Sequence, residues 1–516
     1  MKSKILLTAL ILCFVFSSFS CGVKPNTGAA DVNEVNSEIV ESDDSGDYLP
    51  TYNYEYSDTT DNVSDYDFGG VQVSQDYFSK RDYGGLDFVI LTTSQGWQEN
   101  DINAEQETGY TINDAVYKRN RIVEDNYNVK IKSAAFDDAA TELRKVVKSG
   151  DPAYSAAFIS LSDCASVSSQ GFFCDLNKVP YLDLSQPWYG QNANIQLSVG
   201  DKLYMTLCDI TVRDKDDTNV YLFDKIRLNQ LGLDNPYTLV MDGTWTLDKA
   251  AEMSKCCSVD IDGDGMMTSA DGYGIAGDAQ CLYNGLISSN VQIISKDSSN
   301  YPQYGGIDDK ATAALEKLGN LFGDKATCYL CNPGEDFDAG FTENRLLFYD
   351  TALGKAQSFR NSDTDFGILP PPKSDTTQPP YISPVMPSAT ALCVPVSVGD
   401  AERTGTVINM LCAESRKYVM TAYYAVTLEG KFSRDTDSSN MLDIIFSYRQ
   451  CDIGNIYNFG SLTDIFATAA NSAWESGESV VNTVRDGLNI SGDPLTEASV
   501  VRKSIDKTIT MYQALE

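Results

Sequence analysis

The sequence predicts an α/β fold divided into two lobes, and three observations carry that prediction. An apolar run, LDFVIL at residues 86–91, is bounded by Gly84-Gly85 and by Thr-Thr-Ser, as expected for a strand buried on both faces of a parallel sheet. Strand-like and helix-like segments then alternate, the order that yields a mainly parallel sheet covered by helices. The chain has 516 residues, and after a polar leader is set aside the remainder is still too long for one hydrophobic core.

Taken in order, Asn113 is placed to cap a helix carrying Val116, Ile122 and Val123 and ending near Asn126. NVKIK at 128–132 alternates as a strand, 139–148 reads as a second helix and 156–161 as a third short strand. The pattern then returns in kind. Residues 219–223 are strand-like, Thr246 caps a helix reaching about Cys256, 311–322 are helical and 345–349 are strand-like. FGILPPP at 366–372 closes a strand with a proline run that no central strand tolerates. Helices follow at 402–412, 462–474 and 499–512, with no short-period repeat and no second apolar run long enough to cross a bilayer.

Lys2 and Lys4 precede an apolar run at 5–16, then small residues and Cys21, the charge, core and cleavage-site order of a secretory signal. Ser20-Cys21 is similar to a lipoprotein box, in which Cys21 would carry a lipid and anchor the chain to the outer face of the membrane; Ser-Phe-Ser also reads as an ordinary signal-peptidase site. Residues 21–79 are dominated by Asp, Glu, Ser, Thr, Asn, Gly and isolated Tyr, with no Lys or Arg between Lys24 and Lys80. Such a segment buries too little apolar surface to offset its ordering entropy, so a disordered acidic tether is expected. As a coil it reaches on the order of 40 Å.

Formal net charge is −34, from 39 basic and 73 acidic side chains. Counterion release on nucleic acid needs clustered Lys and Arg, so that partner class is disfavoured. Histidine is absent, which removes Ser-His-Asp and Cys-His nucleophile activation and every His-ligated zinc pattern. Of 13 cysteines, Cys13 leaves with the signal and Cys21 is the lipid candidate. The rest, including Cys328 and Cys331 at CxxC spacing, read as structural thiols or a local disulfide.

One motif carries specific chemistry. Asp260, Asp262, Asp264, Thr268 and Asp271 fall at positions 1, 3, 5, 9 and 12 of a loop with Gly265 at position 6, the spacing that wraps Ca²⁺, with the Met266 carbonyl at position 7. Asp271 stands where Glu is usual, so its reach is shorter. A structural Ca²⁺ ion is expected here, against the alternative of an acidic Asp-Gly turn without metal.

The chain resembles the family 1 extracellular solute-binding proteins, the sugar-type receptors of ABC importers, particularly long Gram-positive lipoproteins. The resemblance rests on Tyr117-Lys-Arg119-Asn120, Pro187-Trp188-Tyr189, Asp242-Gly-Thr-Trp245 leading into the calcium loop, Phe366-Gly-Ile-Leu-Pro370, and Ser433-Arg434-Asp435 with Met441-Leu442-Asp443. It implies a two-lobed periplasmic-binding-protein-like fold of type II with a ligand cleft between the lobes. Residues 80–208 and 390–430 would form the first lobe; 209–389 and 431–516 would form the second, calcium loop included. It also implies a monomer that hands a carbohydrate to a transmembrane permease and is not an enzyme.

Sugars need aromatic platforms beside carboxylates and amides. Trp97, with Glu99 beside it, follows the first strand on the loop at its carboxyl end, where open α/β sheets bind ligands. Trp188 and Tyr189 in a loop after proline, and Trp474 late in a helix, are further candidates. Asp209 and Tyr381 join them because they fall at expected crossings between lobes. Two other readings stay open: a glycoside hydrolase built on two carboxylates, and a calcium-dependent surface carbohydrate-binding or dockerin-like scaffold protein.

Overall fold

A computed structural model describes residues 80–94, 101–359, 362–428, 436–490 and 496–515. The signal, Cys21, the tether, and Trp97 with Glu99 lie outside the described residues.

The strands, in chain order, are β1 (Leu86–Thr93), β2 (Val129–Phe136), β3 (Ala156–Ser160), β4 (Asn219–Asp224), β5 (Tyr273–Asp278), β6 (Ile294–Lys296), β7 (Pro302–Tyr304), β8 (Cys328–Cys331), β9 (Leu346–Ala352), β10 (Phe366–Leu369), β11 (Ser383–Pro384), β12 (Thr390–Cys393) and β13 (Arg449–Gln450). One sheet has the order β12-β3-β1-β2 and the other β10-β4-β9-β5-β8. In the first, β1 pairs in parallel with β2 and β3, and β12 returns antiparallel along β3. The second mixes directions: β5 is parallel to β8 and β9, whereas β4 runs against β9 and β10 against β4. The reason is topological, since the chain enters this sheet at Asn219, on the rim where β9 ends. β10 lies at the sheet edge, which accommodates the proline run that follows it.

Helices cover these sheets where the apolar periodicity placed them, at Ala139–Ser149, Leu247–Lys255, Asp309–Phe322, Ala401–Ser415, Leu462–Ser476 and Ser499–Ala514. Thr246 caps its helix by accepting from the Lys249 amide at 3.3 Å. Asn113 does not cap. The helix Thr111–Tyr127 begins two residues earlier, and the Asn113 side chain donates back to the Gln106 carbonyl at 2.8 Å. Asp114 explains the shift, because its carboxylate accepts from the amides of Thr108 and Gly109 and folds the incoming turn ahead of Thr111. All eleven cysteines among the described residues are free thiols, Cys328 and Cys331 included.

Trp245 anchors the core beneath the second sheet: it is buried, packs edge-on to Tyr221 and against Phe348, and donates its indole N–H to the Pro370 carbonyl at 3.0 Å. Gly274 on β5 is required by close approach, since a Cβ there would sit 2.1 Å from the Ser254 carbonyl of the helix Leu247–Lys255.

The segment between β11 and β12 joins the two sheets. Met386 donates its amide to the Asp217 carbonyl, just before β4, while Pro387 and Ala389 accept from the amides of Ser162 and Leu161, just after β3. The carboxyl end of β3 and the entry to β4 are thereby tied to the same four-residue stretch.

Candidate functional site

At the rim of the second sheet the carboxyl ends of β5, β8 and β9 meet the amino end of β4, because β4 runs the other way. A pocket of about 210 Å³ opens there, bordered by Asn219, Asp278, Asn284, Cys331, Glu335, Asp336, Tyr349, Asp350 and Lys355, with Met386 of the joining segment at its side. Ligands of open α/β sheets sit outside the carboxyl ends of the strands, and this pocket occupies that place.

Its walls are held by identifiable bonds. Asn219 donates to Asp350 Oδ1 at 2.6 Å and to the Thr351 carbonyl at 3.3 Å. Burial pushes the Asp350 carboxyl up to about 7; the Asn219 and Tyr221 hydrogen bonds oppose that shift and the charge of Asp278 adds to it. Asp278 is open to solvent yet recessed, and that partial burial raises its carboxyl against a bond of 2.8 Å from the Gln280 amide. Lys355 pairs with Asp338 at 2.6 Å and Asp336 at 3.3 Å. Tyr349 accepts from the Phe337 amide at 3.1 Å and donates to Asp338 at 3.2 Å. Asn284 is 5 % exposed, and its side-chain amide has no hydrogen-bond partner among the described residues.

Amides and carboxylates converging on one space are hydrogen-bonding equipment for a polyhydroxylated solute. The thiol of Cys331, the one cysteine lining this pocket, is pushed up to about 12 by burial, so it stays protonated near neutral pH and is a poor nucleophile.

Of the candidates read from the sequence, those among the described residues fall elsewhere. Trp188 is 1 % exposed and Tyr189 is 3 % exposed; the indole N–H and the phenol both donate to Asn409 Oδ1 at 3.2 Å, inside the core beside the helix Ala401–Ser415. Neither presents a ring face to a ligand in this structure. Asp209 is buried between Lys215 at 3.1 Å and Arg416 at 3.0 Å, an ion-pair role. Tyr381 is buried, with the Lys373 ammonium 4.9 Å from its ring centroid. Trp474 donates to the Cys328 carbonyl at 2.8 Å, at the amino end of β8 and so at the opposite end of the strand from the pocket. Asn219, Asp278, Asn284 and Asp350 carried no local mark in the sequence. For Asn219, Asp278 and Asp350 the available signal is their position at or near strand ends, a rule that from the sequence singles out only Trp97; Asn284 lies within the helix Cys281–Ser288 and has no such signal.

In the loop at 260–271, Asp260, Asp262 and Asp264 bring carboxylate oxygens within 4.8 Å of one another, all exposed. Gly263 and Gly265 take φ of 74° and 82°, the left-handed backbone that lets the loop double back. Asp271 is turned toward the loop's own backbone, accepting from Ile261 N at 2.9 Å and Thr268 N at 2.7 Å. The donor set is all oxygen and anionic, which suits a hard cation.

No protein-family model matches this chain and no curated protein does. Solved structures do. An ABC substrate-binding protein of Listeria monocytogenes in complex with cycloalternan aligns over 84% of this chain and 100% of its own, at 12% identity and TM-score 0.52. A cyclo/maltodextrin-binding protein complexed with maltotetraose aligns over 79% and 97%, at 11% identity and TM-score 0.55. The galacto-N-biose/lacto-N-biose I-binding protein of the ABC transporter from Bifidobacterium longum, with lacto-N-biose, aligns over 80% and 97%, at 16% identity and TM-score 0.51. The chain therefore has the two-lobed α/β fold of the sugar-type substrate-binding proteins of ABC importers.

Proposed function

We propose that this protein is an extracellular receptor that captures a saccharide, closes two lobes around it and presents it unchanged to the permease of an ABC importer. The observation that carries the reading is the pocket of amides and carboxylates at the carboxyl ends of β5, β8 and β9, in a fold whose structural neighbours include complexes with oligosaccharides. Closure requires the ligand to favour the closed state through contacts to both lobes. The segment carrying Met386 to Ala389 is the natural floor of such a cleft, since it bonds to both sheets.

The export signal, the lipid on Cys21 and the acidic tether of residues 21–79 complete the proposal, holding a monomeric receptor on the outer face of the membrane. A structural Ca²⁺ ion in the loop of Asp260, Asp262 and Asp264 belongs to it as well, supported by their gathered carboxylates. Calorimetry against a broad panel of mono- and oligosaccharides, with product analysis of each titrated sample, is the test. Saturable binding of a saccharide without turnover supports the receptor; absence of any saccharide binding, or release of product, overturns it.

A further inference from the structure

The pocket is more acidic than a neutral sugar requires. Four carboxylates border it, Asp278, Glu335, Asp336 and Asp350, against the single cation Lys355. That cation is already engaged by Asp336 and Asp338. Among the described residues, Asp278, Asp350 and Glu335 have no basic partner. Asp278 and Asp350 are close enough for the charge of one to raise the carboxyl of the other. Two acids facing one space resist ionising together, and a ligand that supplies positive charge there favours their ionised forms and bonds to them as charge-assisted acceptors.

A second, independent observation concerns Asn284. The residue is 5 % exposed yet it borders the same pocket, and its side-chain amide makes no hydrogen bond to protein among the described residues. An amide that meets the pocket without a protein partner is free to bond a ligand.

We propose that the ligand carries a protonated primary amine, an amino sugar with a free ammonium group, held by Asp278, Asp350 and the Asn284 amide oxygen. An ammonium offers three N–H donors, one for each of these acceptors, while Asn219, beside it in the pocket wall, holds Asp350 by a 2.6 Å bond and the pocket rim meets the sugar hydroxyls. The inference rests on the saccharide reading and narrows it: a neutral hydroxyl at the same point brings one donor and no charge.

The experiment is calorimetry near neutral pH, where the Asp350 carboxyl ionises and sugar amines still carry much of their charge, with matched sets that differ at one substituent: glucosamine, N-acetylglucosamine and glucose, the corresponding galactose set, and short oligomers of each. The amine members are expected to bind at least about tenfold more tightly than their acetamide and hydroxyl counterparts, the scale of one charge-assisted hydrogen bond. Asp350→Asn and Asp278→Asn are each expected to compress that ratio toward one. Asp278 is the safer variant for folding because it is exposed, and a melting curve accompanies both. Equal or tighter binding of hydroxyl or acetamide forms, or a preference that survives in both folded variants, overturns the amine assignment while leaving the receptor intact. Putrescine binding as tightly as the amino sugars overturns the sugar part. If no saccharide of any set binds, the receptor reading fails first and this one with it.

Discussion

Asn219 donates its side-chain amide to Asp350 at 2.6 Å, joining the first residue of β4 to the wall of the pocket on β9. The bond couples two things that are separate in sequence: where the chain enters the second sheet, and how a pocket carboxyl is aimed. Asn219→Ala is expected to weaken saccharide binding by about 1 to 2 kcal/mol, the worth of a hydrogen bond to an acidic group. The melting temperature should change little, because the backbone pairing of β4 with β9 persists. Calorimetry beside a thermal melt checks this, and unchanged affinity would remove Asp350 from the site.

Calcium is expected to stabilise the protein through the loop of Asp260, Asp262 and Asp264. Mass action adds about 2.7 kcal/mol when free calcium is a hundredfold above its dissociation constant. Chelator should lower the melting temperature of the wild type, and the double change Asp262→Ala with Asp264→Ala should lower it equally and make it insensitive to calcium. A wild-type melt unmoved by chelator shows that no ion is held.

Stability should fall as pH rises from about 5 to 8, before any ligand is added. Burial pushes Asp216 up to about 8 and Asp217, Asp224 and Asp452 up to about 6, with Asp350 at about 7. In the unfolded chain each titrates at about 3.9. Across the window between those values the native state holds protons that the unfolded state has lost. The contribution is therefore complete below about pH 4 and is lost as pH passes the native values. Asp216 dominates: Tyr423 donates to it at 2.8 Å and Gln357 at 3.1 Å, Asp101, Asp214 and Asp217 raise it by their charge, and its second oxygen has no partner. Asp216→Asn should flatten the slope of melting temperature against pH in the presence of chelator. A curve that rises over this range contradicts the assignment.

The strands and helices were legible because burial on both faces leaves unbroken apolar runs such as residues 86–91, and because Thr246 caps where its type and position say it should. The pairing direction of β4 was not, since nothing within residues 219–224 records from which lobe the chain arrives. Trp188 and Tyr189 mislead for a related reason. An aromatic pair after a proline looks the same as a sugar platform and as a core plug, and what decides is Asn409, a partner 221 residues from Trp188. Asp278 and Asp350 are two among 73 acidic residues, and only the sheet brings them to one rim.

Arg119 offers the sharpest test of how the segment after β1 is held. It is fully buried and charged, with burial pulling its guanidinium down to only about 10. It donates to Ile210 O at 2.8 Å, Ser415 Oγ at 3.0 Å, Ile102 O at 2.6 Å, Asp101 O at 3.3 Å and Asn120 Oδ1 at 2.9 Å. One side chain thus ties the segment after β1 to Ile210 and to the end of the helix Ala401–Ser415. Arg119→Met leaves buried carbonyls without donors and should cost about 3 to 5 kcal/mol. Arg119→Lys keeps the charge but not the planar fork, so it should recover only part of that loss. As a surface control, Glu402→Ala removes a 2.9 Å pair with Arg81 whose side chains are 27% and 58% exposed, and should cost under about 1 kcal/mol. Urea unfolding of the four proteins measures the ranking. In the Lys variant, a saccharide affinity reduced by more than the stability loss explains would show that the clamp positions the loop for binding; an affinity equal to wild type would confine Arg119 to folding.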